Sequence, residues 1–122
     1  MLSLPLPVRI FVCTQPADMR RSFDGLAHMV REFLGADPLS GHLFVFRSKR
    51  GDRVKLLYWD SDGLAIWYKR LEEGCFHFPA ASGEGHGIEM RAAELAMLLD
   101  GVDLDSVRRR KRYRRPTAAT TL

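Results

Sequence analysis

The chain has 122 residues, of which 46% are hydrophobic and 28% charged, and this size and composition suit one folded domain. Its longest apolar runs span only a few residues, far short of the roughly 20 that cross a bilayer, so we expect no membrane association and a cytoplasmic location. The two cysteines have no framework spacing, which agrees with a reducing compartment.

The formal net charge of +4 is distributed unevenly along the chain. Residues 1–105 carry 12 basic and 15 acidic side chains, a net of −3, whereas residues 106–122 carry seven basic and no acidic side chains, a net of +7. The second segment also lacks apolar periodicity. We therefore predict a single α+β domain over residues 1–105, followed by a basic tail, residues 106–122, that is disordered when free.

The first part of the domain predicts one strand and one helix. Val8–Val12 is β-branched and aromatic, which is typical of a strand. From Asp18 to Leu34 apolar side chains recur every three or four residues, which predicts an amphipathic helix. Asp18 suits the positive end of the helix dipole, and Gly35 suits the C-cap.

Four apolar stretches of strand length follow: Leu43–Phe46, Val54–Trp59, Leu64–Tyr68 and Cys75–Phe78. Their short separators contain Gly with Asp, Ser or Glu, which favours hairpin loops. Parallel neighbours would need a crossover of a dozen or more residues, so we predict an antiparallel meander. A flexible loop, Ala80–Gly87, then leads to a second helix over Glu89–Leu99 that stops at Gly101. The predicted fold is a meander of four to five strands packed with two helices.

Two concentrations of positive charge are the candidate nucleic-acid-binding residues. The first surrounds one predicted hairpin loop and comprises Arg47, Lys49, Arg50, Arg53 and Lys55. The second is the run in the tail, Arg108, Arg109, Arg110, Lys111, Arg112, Arg114 and Arg115. Such groups bind phosphate backbones by releasing counterions. The alternatives are a charged loop that keeps a hairpin soluble, and a tail that aids solubility or contacts an acidic protein.

No catalytic, metal or cofactor site is predicted. The glycine-rich residues 82–87 lack the Lys-Ser/Thr ending of a phosphate-binding loop, and Cys75 and His77 are too few for a structural zinc site. The two aspartates of the Asp60–Gly63 turn and Glu94 would suit a two-metal strand-transfer site only if they converged. Turn chemistry already explains the aspartates, so we expect a non-catalytic protein.

Several sequence segments occur in the order expected for one known family, and together they span roughly residues 5–105. They are Ala17–Leu26, Asp37–Arg47, Lys55–Asp60, Lys69–Glu72, Phe76–Pro79 and Glu94–Val102. Together they resemble the TnpB-type accessory protein, the second open reading frame, of insertion sequence 66-type bacterial transposable elements. The resemblance implies a role in transposition beside a separate, larger transposase that supplies the catalytic residues. It transfers no binding residues, and the arginine-rich tail departs from the family's shorter, less basic ending.

These observations favour an accessory protein of DNA transposition. We expect it to contact transposon DNA, or the transposase–DNA complex, through the two basic groups. The alternative is a protein-interaction module, in which the helix over Asp18–Leu34 or an exposed apolar sheet face docks a transposase subunit without binding DNA.

Overall fold

The computed structural model describes residues 8–79, 85–103 and 108–109. Its elements, in chain order, are β1 (Ile10–Cys13), α1 (Phe23–Leu34), β2 (Leu43–Arg47), β3 (Arg53–Asp60), β4 (Gly63–Arg70), β5 (Gly87–Met90), α2 (Ala92–Asp100), β6 (Val102–Asp103) and β7 (Arg108–Arg109). None of the helices in these ranges is long and apolar enough to cross a membrane. The predicted α+β class is confirmed.

The strands β1 to β5 form one mixed sheet in the order β4-β3-β2-β1-β5. The antiparallel meander is confirmed for β2, β3 and β4. In contrast, β1 pairs with β2 in parallel, which the purely antiparallel prediction did not include. The connection between them contains the 12-residue α1, and a helix of this kind supplies the crossover that parallel neighbours need.

One predicted strand is wrong, and one strand was missed. Residues Cys75–Phe78 form no strand but lie along the β2–β3 turn, where the Phe76 N–H donates to the Gly51 carbonyl at 2.8 Å. The missed strand is β5, which pairs antiparallel with β1 and places Ile88 opposite Val12. Its residues belong to the predicted loop and helix start, so pairing with a distant strand outweighed the local glycine-rich signal.

Both helices start later than predicted, and both end at the predicted glycine. α1 begins at Phe23, because Asp18 instead starts a turn in which its carbonyl accepts the Arg21 N–H at 2.9 Å. α2 begins at Ala92, since the preceding residues belong to β5. Gly35 and Gly101 adopt φ of +58° and +94°, the left-handed conformation that a helix C-cap favours.

Of the predicted tail, only Arg108 and Arg109 are described. They form β7, whose backbone pairs antiparallel with Val102 and Asp103 of β6. The other residues of the range 106–122, and the predicted loop residues 80–84, lie outside the described residues. The disorder of the tail therefore stays a prediction.

Two hydrophobic clusters occupy opposite faces of the sheet, as side-chain alternation along strands requires. The cluster on the face covered by α1, which we call the α1 face, includes Leu26, Val30, Phe44, Phe46 and Leu57. The cluster on the face covered by α2, the α2 face, includes Ile10, Val45, Leu56, Leu95 and Leu98. All of these side chains are buried.

Lys55 is a charged residue within the α1-face interior. It lies on the inner strand β3, and its side chain is only 7% exposed. Its ammonium donates to the backbone carbonyls of Met19 at 2.8 Å and Arg21 at 2.7 Å, and it sits 4.6 Å from the centre of the Tyr68 ring. Lys55 therefore holds the turn before α1 against the sheet, and this contact corrects the prediction that it lies on a DNA-binding surface.

Replacing Lys55 by methionine should lower the free energy of unfolding by roughly 1.5–3 kcal/mol, because hydrogen bonds to a charged group contribute about this much and two carbonyls lose their donor. Urea denaturation measures the change. The matched control is Lys69→Met on the neighbouring strand, where the side chain is exposed and the expected change is within about 0.5 kcal/mol. Equal losses in the two variants would contradict the role of Lys55.

Candidate nucleic-acid interface

The residues Ser48–Asp52 connect β2 to β3, and we call them the basic turn. The buried Ser48 side chain joins the two ends of the turn: its Oγ donates to Asp52 Oδ1 at 3.2 Å and accepts the Arg53 N–H at 3.1 Å. The Gly51 N–H donates to the Ser48 carbonyl at 3.0 Å. Gly51 has φ of +81°, a conformation that a side chain disfavours. These bonds give the turn a defined backbone.

The segment after β4 packs along the outside of the basic turn. The Leu71 N–H donates to the Asp52 carbonyl at 2.8 Å, and the Phe76 N–H donates to the Gly51 carbonyl at 2.8 Å. Cys75 Sγ donates to the Arg50 carbonyl at 3.2 Å. Three successive carbonyls of the turn thus have partners. The turn is therefore fixed by its own hydrogen bonds and by this segment, while the Lys49 and Arg50 side chains remain exposed.

A cavity of about 450 Å³ opens on the α1 face beside the basic turn, and we call it the α1-face cavity. Four cationic side chains line it, Arg20, Lys49, Arg50 and Arg53, with two carboxylates, Asp18 and Asp52. Both carboxylates accept hydrogen bonds within the protein, Asp18 from Arg20 and Asp52 from Ser48. The cavity therefore has a local excess of positive charge in a domain that is net acidic.

The cations of this cavity are incompletely neutralised. Within the described part of the chain, Lys49, Arg50 and Arg53 form no ion pair with an acidic side chain. Arg53 also lies directly opposite Arg70 across the β3–β4 ladder, and like charges in that position repel. Arg70 has Glu72 as a partner at 3.1 Å. An anion bound beside Arg53 would relieve the remaining repulsion.

Arg20 reaches the cavity from the turn that Lys55 holds. Its guanidinium contacts Asp18 Oδ2 at 2.7 Å, and its backbone N–H donates to Asp18 Oδ1 at 2.9 Å. These bonds from Arg20 lower the pKa of Asp18 from its ordinary value of 3.8 to about 2. The Arg20 side chain is nevertheless 91% exposed, so most of its surface remains available to a ligand.

The structure separates the five cations predicted around the hairpin. Lys49, Arg50 and Arg53 line one cavity, whereas Lys55 is buried. Arg47 points to the opposite face, where its guanidinium donates to the Thr14 carbonyl at 3.2 Å.

Sequence reasoning missed Arg20 because its position falls inside the helix predicted over Asp18–Leu34, whereas α1 begins at Phe23. The Asp18-x-Arg20 spacing was the available signal, since an aspartate that accepts a backbone N–H two residues later is typical of a turn. The side chains of the tail cations lie outside the described residues, so the structure does not place them.

The three carboxylates considered for a two-metal site do not converge. Among residues 8–79, 85–103 and 108–109, no group of three or more His, Cys, Asp or Glu side chains is close enough to hold a metal ion. Asp60 ends β3, and Asp62 lies in the turn between β3 and β4. Glu94 accepts the Arg91 N–H at 2.9 Å and so stabilises the start of α2. The condition set for a strand-transfer site is therefore not met.

Comparison with known proteins places these features in a family context. The family described as IS66 Orf2 like protein matches residues 8–109. An uncharacterized protein of Sinorhizobium fredii, y4jC, is 43% identical over 110 residues, which cover 90% of this chain and 92% of that protein. A second, y4hO, is 42% identical over 96 residues, 79% of this chain and 82% of that protein. No solved structure matches the chain.

Replacing Arg20 by glutamine should raise the pKa of Asp18 from about 2 towards 3.8, because the ionised carboxylate loses its partner. Because the pKa of Asp18 in the folded chain lies below its ordinary value, its contact with Arg20 stabilises the fold above about pH 4. This contribution is lost as the pH falls through about 2. Carboxyl-carbon NMR titration measures the midpoint. Arg31→Gln, on the exposed side of α1, should leave it unchanged, and an unchanged midpoint in Arg20→Gln would refute the coupling.

Proposed function

The chain belongs to the IS66 Orf2-like family and is an accessory protein associated with transposition, and we propose that it binds DNA through the basic turn and the α1-face cavity. The match over residues 8–109 confirms the resemblance found in the sequence. The observation that carries the DNA proposal is the group of three cations, Lys49, Arg50 and Arg53, that line one cavity without an acidic partner in the described residues.

The geometry of the basic turn suits a phosphate backbone. Lys49 and Arg50 extend from a turn in which the Arg50, Gly51 and Asp52 carbonyls are hydrogen-bonded to the segment after β4, so the backbone needs little further ordering when an anion binds. A guanidinium presents several N–H donors in a fixed plane, which allows two-point contact with a phosphate. Contacts of this kind provide affinity and orientation but little sequence specificity.

The charge distribution supports separate roles in DNA binding for the body, residues 1–105, and the tail, residues 106–122. Residues 1–105 have a net charge of −3 and residues 106–122 a net charge of +7. A net-acidic body is repelled by DNA in most orientations, so its cationic cavity selects the face that approaches. In this proposal the tail cations, Arg108 to Arg115, add further affinity for the phosphate backbone. A cytoplasmic location belongs to the same proposal.

Docking of a transposase subunit is the second candidate function. Its supporting observation is the exposure of two large apolar side chains around α1, Phe23 at 44% and Leu39 at 48%. Phe23 begins the helix and Leu39 follows it. Apolar side chains of this size at the surface often belong to protein interfaces, but single exposed residues are also normal in monomers. The cationic cavity has the more specific chemistry, so we favour DNA.

A salt titration of DNA binding tests the proposal. Each phosphate contact contributes about 0.9 to the slope of log affinity against log salt. The double variant Lys49→Gln/Arg50→Gln should therefore bind a duplex from the end of the element more weakly, with a slope shallower by about 1.8. Fluorescence anisotropy with a labelled duplex measures both quantities. The matched control is Arg31→Gln/Lys69→Gln, which removes two exposed cations that do not line the α1-face cavity.

A further variant separates the contribution of the tail from that of the body. It keeps the full chain and changes all seven cations from Arg108 to Arg115 to glutamine. The effect of Lys49→Gln/Arg50→Gln should persist in this background. Equal slopes for the double variant and its matched control would contradict the proposal. No binding of the duplex by the wild-type chain at low salt would also contradict it and would favour docking of a protein partner.

A further inference from the structure

A second cavity lies on the other side of the basic turn. It has a volume of about 330 Å³ and opens on the α2 face, and we call it the α2-face cavity. Its lining combines three cations, Arg47, Lys49 and Arg50, with the rings of Phe76 and Phe78. The volume lies near the lower end of the roughly 300–1,000 Å³ found for small-molecule sites. Cationic and aromatic groups together distinguish it from the α1-face cavity, which no aromatic ring lines.

Arg47 is the fixed cation of this cavity. It follows Leu43 and Val45 along β2, two residues of the α2-face cluster, and alternation along a strand places all three on one face. Its guanidinium donates to the Thr14 carbonyl at 3.2 Å. This bond uses one of the five N–H donors that an arginine carries. The group is therefore oriented by the protein and has donors left for a phosphate.

Phe78 forms the aromatic side of the cavity. Phe76, which is only 4% exposed, contacts the Phe78 ring edge to face, with 6.0 Å between the ring centres and 61° between the planes. This contact fixes the orientation of the Phe78 ring. Phe78 itself is half-buried and lines the cavity, so part of its surface is available for stacking. Stacking of bases on aromatic side chains tolerates any base, since each base has a π-face.

The two cavities share Lys49 and Arg50. A DNA backbone that crosses the basic turn would therefore bring an adjacent nucleotide to the α2-face cavity. A base inside a duplex is paired and stacked and cannot enter such a cavity unless it leaves the helix. Only an unpaired nucleotide would satisfy both the cations and the aromatic ring.

We propose that the α2-face cavity binds an unpaired nucleotide of DNA, with its phosphate at Arg47, Lys49 and Arg50 and its base against Phe78. This inference rests on the proposed DNA-binding function and adds a substrate class to it, namely DNA with a single-stranded segment. The cavity makes no covalent change to the nucleotide. It distinguishes a frayed or extended DNA end from a blunt one.

Competition between two labelled probes tests this inference. The first probe is a blunt duplex, and the second is the same duplex with a short single-stranded extension. The wild-type chain should bind the extended probe at least about fivefold more tightly, which is the smallest gain expected from one stacked base. Phe78→Leu keeps an apolar side chain and removes the ring, so the preference should disappear while affinity for the blunt duplex is retained.

Two controls make the outcome specific to the cavity. Phe23→Ala removes a ring that lines neither cavity and should leave the preference intact. Alkylation provides a readout that does not depend on affinity, because both cysteines line the cavity but Cys75 is exposed and Cys13 is buried. The extended probe should slow alkylation of Cys75 by iodoacetamide, measured by mass spectrometry, more than the blunt duplex does.

Each result decides the inference. Equal affinity for the two probes, with alkylation of Cys75 unaffected by the extension, would overturn the nucleotide site while leaving the DNA-binding function in place. A preference that survives in Phe78→Leu would also overturn it, since another part of the chain would then recognise the extension. Failure to bind either probe would overturn the proposed DNA-binding function as well.

Discussion

The buried ammonium of Lys55 fixes the geometry on which the rest of the site depends. It donates to the carbonyls of Met19 and Arg21 and so joins the segment before α1 to the middle of the sheet. A second bond, from the Ala17 N–H to the Arg47 carbonyl at 2.9 Å, ties the same segment to the end of β2. Burying a cation without hydrogen-bond partners would cost much free energy, so the ammonium of Lys55 requires these two carbonyls. As a consequence, Arg20 faces the basic turn.

The basic turn lies between two cavities whose linings differ in chemistry. The α1-face cavity is lined by cations and carboxylates, and the α2-face cavity by cations and aromatic rings. Lys49 and Arg50 belong to both. In the proposed function the basic turn binds the phosphate backbone. The net negative charge of residues 1–105 disfavours contact between DNA and the rest of the domain. The transposition-associated role of the family gives such a surface a biological context.

The sequence predicted those features that depend on local pattern. The apolar stripe of α1, the β2, β3 and β4 part of the predicted meander, and the stop at Gly35 all have short-range signals. The missed features depend on distant partners: β5 exists because it pairs with β1, and Cys75–Phe78 contributes the buried Phe76 to the core from a loop. The burial of Lys55 could not be inferred, since a lysine in a strand gives no sign of the carbonyls that will meet it. Arg20 was missed for a different reason, because the helix was predicted to begin at Asp18 and the turn signal of Asp18 was not used.

The most direct measurement is the change in backbone amide NMR shifts when a DNA duplex is added to the full chain. If the account is correct, the largest changes within the described residues occur in the basic turn and around Arg20, and they weaken as salt increases. Shifts confined to the start of α1 around Phe23, with none in the basic turn, would contradict the account.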